Sequence, residues 1–137
     1  MMIHAPISVG ELYDKITILE VKTARFDDPA KLANVSRELE LLRSIADREV
    51  ETVAALDRAE LDRLVTALRD VNDALWDIED GKRAAEARQT FDGEFLRLAR
   101  EVYLKNDHRA AIKRAINLLI GSDIVEEKGY AAAGAAV

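Results

Sequence analysis

Cysteine is absent from the chain. That excludes disulfides, thiolate zinc sites and cysteine nucleophiles together. It also fits a reducing cytosol, so a cytoplasmic location is expected. Long apolar runs are missing as well: none approaches the ~20 residues that a membrane span needs. The opening MMIHAPISVGELYDK has neither the charged stretch nor the apolar stretch of a secretory signal. Histidine is scarce. His4 and His108 are not spaced as helical metal ligands, and neither sits in a recognisable nucleophilic set. There is no glycine-rich phosphate loop and no nucleophile elbow, so no cofactor is expected. Six glycines and two prolines are too few for a β-sandwich and ordinary for a helical protein.

What is present is charge and leucine. Twenty-six acidic side chains against twenty basic ones leave a net charge of −6. A general nucleic-acid binder needs the opposite balance to displace counterions, so no nucleic-acid partner is expected. A length of 137 residues suits one domain.

Hydrophobic spacing divides the chain into helices. Ser8 and Glu11 read as a capping box, with Glu11 spent on the cap. Behind them Val9, Leu12, Ile16, Leu19, Thr23 and Phe26 recur three and four apart, which predicts a helix to about Phe26. Asp28-Pro29 starts a second helix over about 29–54, and the short connection makes the pair an antiparallel hairpin or a sharp bend. Asp57 and Glu60 cap a third over about 58–89, carried by Leu61, Leu64, Leu68, Val71, Leu75 and Ile78. Gly81 lies inside it and puts a straight path there in question. A fourth begins at Thr90 or Asp92, with a bend expected at Lys105-Asn106-Asp107 and a C-cap at Gly121. Its end, AINLLI, is apolar nearly all round and suits a core or a subunit interface. Ser122 or Asp123 opens a short last helix to about Tyr130. The fold expected is therefore all-α: an antiparallel bundle of four main helices plus that short one, residues 1–130, with shallow coiled-coil-like crossings. Residues 131–137, AAAGAAV, form an expected flexible tail.

Two polar stripes stand out. Asn72, Trp76, Glu79 and Arg83 follow each other by four, three and four, beside the leucine seam of helix three, with Asp80 at the border. The plain explanation is a core-edge tryptophan and a Glu79–Arg83 surface pair. The functional one is a polar wall of a pocket or interface. On helix four Asn106, Arg109, Lys113 and Asn117 share a face, with Arg114 beside them. Cations with amides can hold a phosphate or carboxylate. The alternative is pairing with Glu126, Glu127 or acids of helix one. Asp14, ahead of the Ile16–Leu19 stripe, is placed to face inward at the bundle end.

Three runs, VGELYDKITILEVK, VNDALWDIED and VYLKNDHRAAIKRAINLLIGSDIVEEKGY, occur in order over about residues 3–130. They resemble an uncharacterised family of small helical proteins of bacteria and phages, encoded beside or fused to glycosyltransferases of surface-polysaccharide synthesis. The resemblance implies a helical bundle in a carbohydrate-assembly setting and no established activity. It marks Asp14, Lys15, Glu20, Lys22, Asn72, Trp76, Glu79, Asp80, Tyr103, Asn106, Asp107, Arg109, Lys113, Arg114, Asn117, Ser122, Glu127, Lys128 and Tyr130 as motif positions.

The function expected is a non-catalytic binding or accessory module. Asn72, Trp76, Glu79, Arg83, Asn106, Arg109, Lys113 and Asn117 would hold an anionic ligand or a partner protein, a glycosyltransferase among the candidates. One rival is a small all-α enzyme acting on an anionic substrate by electrostatic preorganisation, as chorismate mutases do, or resembling nucleotide pyrophosphatases. The arginine pattern of the first and the Glu-x-x-Glu ligands of the second are poorly matched. Another rival is a structural oligomerisation element. A homodimer is the expected assembly.

Overall fold

The computed structural model describes residues 1–130; the tail expected over 131–137 lies outside the described residues. Four α-helices and no strand form among the described residues: α1 Val9–Arg25, α2 Pro29–Glu49, α3 Arg58–Ala87 and α4 Gly93–Ile120. Each begins on a short polar side chain that accepts an orphan N–H of the first turn. Ser8 takes the Glu11 N–H, Asp28 those of Ala30 and Lys31, Asp57 that of Glu60, and Asp92 that of Phe95. Gly121, at φ +78°, closes α4 in the left-handed conformation that glycine adopts without a Cβ penalty.

Successive helices run antiparallel. Gly10 lies by Asn117 and Asn72 by Arg109, while Glu20 and Arg25 of α1 meet Arg69 and Asp77 of α3 in parallel order. Helix α1 packs against all three others; α2 makes no close backbone approach to α3 or α4 among the described residues. The core joins Leu12, Ile16 and Leu19 of α1 to Val35 and Leu39 of α2, Leu61, Leu64, Leu68 and Leu75 of α3, and Ile112 and Ile116 of α4. Lengths of 30 and 28 residues make α3 and α4 about 45 and 42 Å long, against about 26 Å for the 17 residues of α1. Since Arg25 ends α1 beside Asp77, the α3–α4 hairpin runs on past it. There Gly81 lets the two helices close: a Cβ on it would lie 2.9 Å from Leu98 Cδ1. No helix is long and apolar enough to cross a membrane among the described residues.

Several expectations need correction. The short helix from Ser122 or Asp123 to Tyr130 does not form; the segment is irregular. Its side chains are engaged elsewhere: Ser122 Oγ accepts the Val9 N–H and donates to the Ile124 carbonyl, and Glu126 reaches Ser8 and Asn117. These contacts with α1 and α4 hold the segment against the bundle end. Helix α4 passes Lys105–Asp107 unbroken, because Asn106 spends its side-chain oxygen on Arg109, not on its own backbone. Helix α3 passes Gly81 without interruption. Helix α2 stops at Glu49, five residues short of the expected end, where Val50 turns its side chain into the core and the chain reaches a positive φ at Ala55.

Candidate functional site

The site grows from one buried amide. Asn72 sits on the core side of α3 between Val71 and Leu75, and only 5% of it is exposed. Its amide nitrogen donates to Asp14 Oδ1 at 2.8 Å and to Thr17 Oγ1 at 3.0 Å. Thr17 in turn gives its hydroxyl hydrogen to the Asp14 backbone carbonyl, so toward Asn72 it can only accept. Both amide hydrogens of Asn72 are thereby used within α1, and its oxygen must face α4. Arg109 Nη1 donates to that oxygen at 3.0 Å, and Arg109 Nη2 donates to Asn106 Oδ1 at 2.8 Å.

The partners of Arg109 are therefore neutral. This is unusual in the molecule. Of the three half-buried arginines, Arg25 pairs with Asp73 and Asp77, and Arg69 with Glu20. Among the described residues Arg109 alone meets just amide oxygens, which orient a guanidinium without cancelling its charge. The nearest carboxylate on its network, Asp14, is turned toward Lys113, whose Nζ lies 3.8 Å from Asp14 Oδ2.

Arg109 opens onto a groove of about 340 Å³. Ile18 and Val21 of α1 and Leu75 of α3 line it with apolar surface. Asn72, Trp76, Glu79, Asp80 and Arg83 of α3 line it with polar groups. Trp76 is fixed from outside the groove's polar set: Phe26 packs edge-to-face at 5.7 Å, and the Arg25 guanidinium stands 5.8 Å from the ring centre. The expected Glu79–Arg83 pair is replaced by Glu79–Lys82 at 3.4 Å. Arg83 and Asp80 have no hydrogen-bond or ion-pair partner among the described residues. A cleft of this size, apolar with a few convergent polar groups, has the form of a small-molecule site.

The helix-three stripe thus lies in one groove: Asn72, Trp76, Glu79 and Arg83 all line it. The helix-four stripe divides. Arg109 lines the groove and Asn106 supports it. Lys113 and Asn117 do not reach it. Lys113 Nζ lies 2.5 Å from Glu11 Oε2, so Glu11 is not spent on the cap as expected. Asn117, 1% exposed, accepts the Gly10 N–H at 2.6 Å and donates to Glu126 Oε2 at 3.1 Å. Arg114 pairs with Glu127. Burial pushes the Glu126 carboxyl up, but hydrogen bonds from Ser8, its own backbone and Asn117, with the charge of Lys113, hold it below the usual carboxylate range. His4 and His108 are exposed. Among the described residues no group of three or more histidines or carboxylates gathers as a metal site.

Sequence spacing missed Thr17, Ile18, Val21 and Gly10. Thr17 lies one residue off the Val9–Phe26 row, and a lone hydroxyl inside a helix carries no spacing signal of its own. Gly10 had a signal, a glycine in the first turn of an amphipathic helix. A Cβ there would overlap the Lys113 carbonyl oxygen.

A family model covers residues 3–136, described as "Family of unknown function (DUF6165)". The chain belongs to this family. No curated protein and no solved structure matches the chain. For this DUF6165 member, then, function has to be argued from the groove.

Proposed function

We propose that the protein is a non-catalytic binding module whose groove between α1, α3 and α4 takes an anionic small molecule. The observation that carries this is Arg109: a half-buried guanidinium aimed by two asparagine oxygens into a ligand-sized cleft, with its charge left uncompensated. Desolvating a cation without a counter-ion is costly, so a site that keeps one is pre-formed for an anion. Arg83, unpaired among the described residues, supplies a second cation at the far end. Arginine suits phosphate and carboxylate because its fork matches their oxygens.

The setting we propose is accessory work in surface-polysaccharide assembly in the cytoplasm, beside a glycosyltransferase, with the protein acting as a homodimer. The support for the setting is the resemblance of three ordered motifs. For the dimer it is Leu118, 66% exposed in the apolar run that ends α4.

Calorimetric titration with inorganic phosphate and with glucose 1-phosphate tests the binding reading. Saturable heat is expected with at least one of them, and Arg83→Ala plus Arg109→Ala should abolish it. Heat that survives the double substitution would remove these arginines from the site. No heat with either compound in the wild type would remove the reading itself.

A further inference from the structure

Resting on the groove reading, we infer that the ligand is not a bare anion but a hydroxyl-rich ring compound carrying one anionic group: a sugar phosphate or a sugar acid, held with its anion at Arg109 and its hydroxyls at Asp80 and Glu79. The reason lies in the carboxylates. A site shaped for inorganic phosphate or a simple carboxylate gains nothing from acids in its wall, since like charges a few ångströms apart repel. Here two of the groove's polar side chains are acids. Carboxylates only accept hydrogen bonds, so the ligand must bring donors to meet them. Hydroxyls and ammonium groups both qualify. The balance of charge favours hydroxyls. Glu79 is already matched by Lys82, and with that pair counted, three cations face two carboxylates. A positive charge from the ligand is not called for.

The order of groups along α3 agrees. At ~1.5 Å of rise per residue, Asn72 to Arg83 spans about 16 Å. Arg109 is pinned at the Asn72 end by a 3.0 Å hydrogen bond. Between the ends come Trp76 and then Glu79 and Asp80. The groove is therefore longer than an inorganic anion and graded along its length: a cation, an aromatic wall over aliphatic surface, acceptors, and a second cation at the Arg83 end. A pyranose presents the matching sequence, with C–H faces that pack on an indole, equatorial hydroxyls that donate to carboxylates, and a phosphate or carboxylate at one edge. A flat aromatic acid would satisfy Arg109 and Trp76 but leave Asp80 without a donor, since only Glu79 has one in Lys82.

The decisive comparison is between inorganic phosphate, glucose and glucose 1-phosphate on the wild type and on Asp80→Ala. Asp80 is exposed, and among the described residues its side chain bonds to nothing, so trimming it to alanine leaves the fold intact. Circular dichroism and melting temperature check this. In the wild type, glucose 1-phosphate should bind at least tenfold more tightly than phosphate, and glucose alone more weakly than either. Asp80→Ala should weaken glucose 1-phosphate several-fold while leaving phosphate unchanged or slightly tighter, because a repelling charge has gone. Equal affinity for phosphate and glucose 1-phosphate would overturn the ligand class and leave the anion groove standing. So would tightening of both by Asp80→Ala, which would make Asp80 only a repelling charge. Absence of binding by all three would overturn both.

Discussion

The two halves of the helix-four stripe use the same residue types to opposite ends. Arg109 lies one turn before Lys113 and two turns before Asn117, with Asn106 about a turn earlier still, on one face of one helix. Yet Lys113 is closed in by Glu11 and Asp14, and Asn117 is spent on the Gly10 N–H and Glu126. Among the described residues Arg109 is met only by amides, and it opens onto the groove. What separates them is the opposing surface. The Lys113 end faces the acidic first turns of α1 and the irregular segment after Gly121. The Arg109 end faces Asn72. A cation on a helix is structural or available according to what its neighbours bring, and the periodicity of its own helix is silent on that.

Substitutions can break this contrast. The largest effect is expected at the structural end. Gly10→Ala forces a methyl onto the Lys113 carbonyl and must push α1 from α4, a loss of about 3 kcal/mol at the upper range for overpacking. Chemical denaturation measures it, and a loss below 1 kcal/mol would mean the α1–α4 contact is looser than described. Next comes Lys113→Met. It leaves the buried Asp14 without a cation and Glu11 with Lys15 alone, for about 2 kcal/mol, less than a fully buried pair would cost because Lys113 keeps some solvent contact. Arg109→Met should cost less, about 1 kcal/mol, since it unpairs only neutral amide oxygens. If Arg109→Met proved more destabilising than Lys113→Met, the assignment of structural and available cation would be reversed.

The smallest effect is at Glu126. Its folded-state carboxyl titrates below the ordinary value near 4.3. A lowered folded value means its stabilisation is complete above the unfolded value and is lost as pH falls through the folded one. Melting temperature between pH 7 and pH 3 should therefore fall more steeply for the wild type than for Glu126→Gln. Parallel curves would show that this carboxylate does not latch the segment.

How much of this was legible beforehand follows from what each signal measures. Leucine spacing reports which face of a helix is covered, so the all-α bundle and the starts of the first three helices could be read from Ser8, Asp28, Asp57 and the rows behind them, and the fourth to within Thr90 or Asp92. The helix-three stripe was legible for the same reason: four residues on one face of one helix stay together whatever packs against them. The partition of the helix-four stripe was not legible, because it depends on α1 lying antiparallel to α4, which brings Glu11 and Asp14 to Lys113. Asn117 carried a partial signal, a lone amide inside AINLLI, and a buried amide is more often a structural bond than a ligand contact. The segment after Gly121 misled because Ser122 and Asp123 suit a helix start, but their local preference lost to contacts made more than 100 residues away along the chain.

Trp76 is the only tryptophan and lines the groove, so intrinsic fluorescence watches the site directly. Titrating glucose 1-phosphate into wild type, Lys113→Met and Arg109→Met gives the most direct measurement. We expect a saturable change in wild type, the same change with similar affinity in Lys113→Met, and none in Arg109→Met. An unchanged signal in wild type, or an Arg109→Met protein that responds like wild type, would contradict an available guanidinium at the head of the groove.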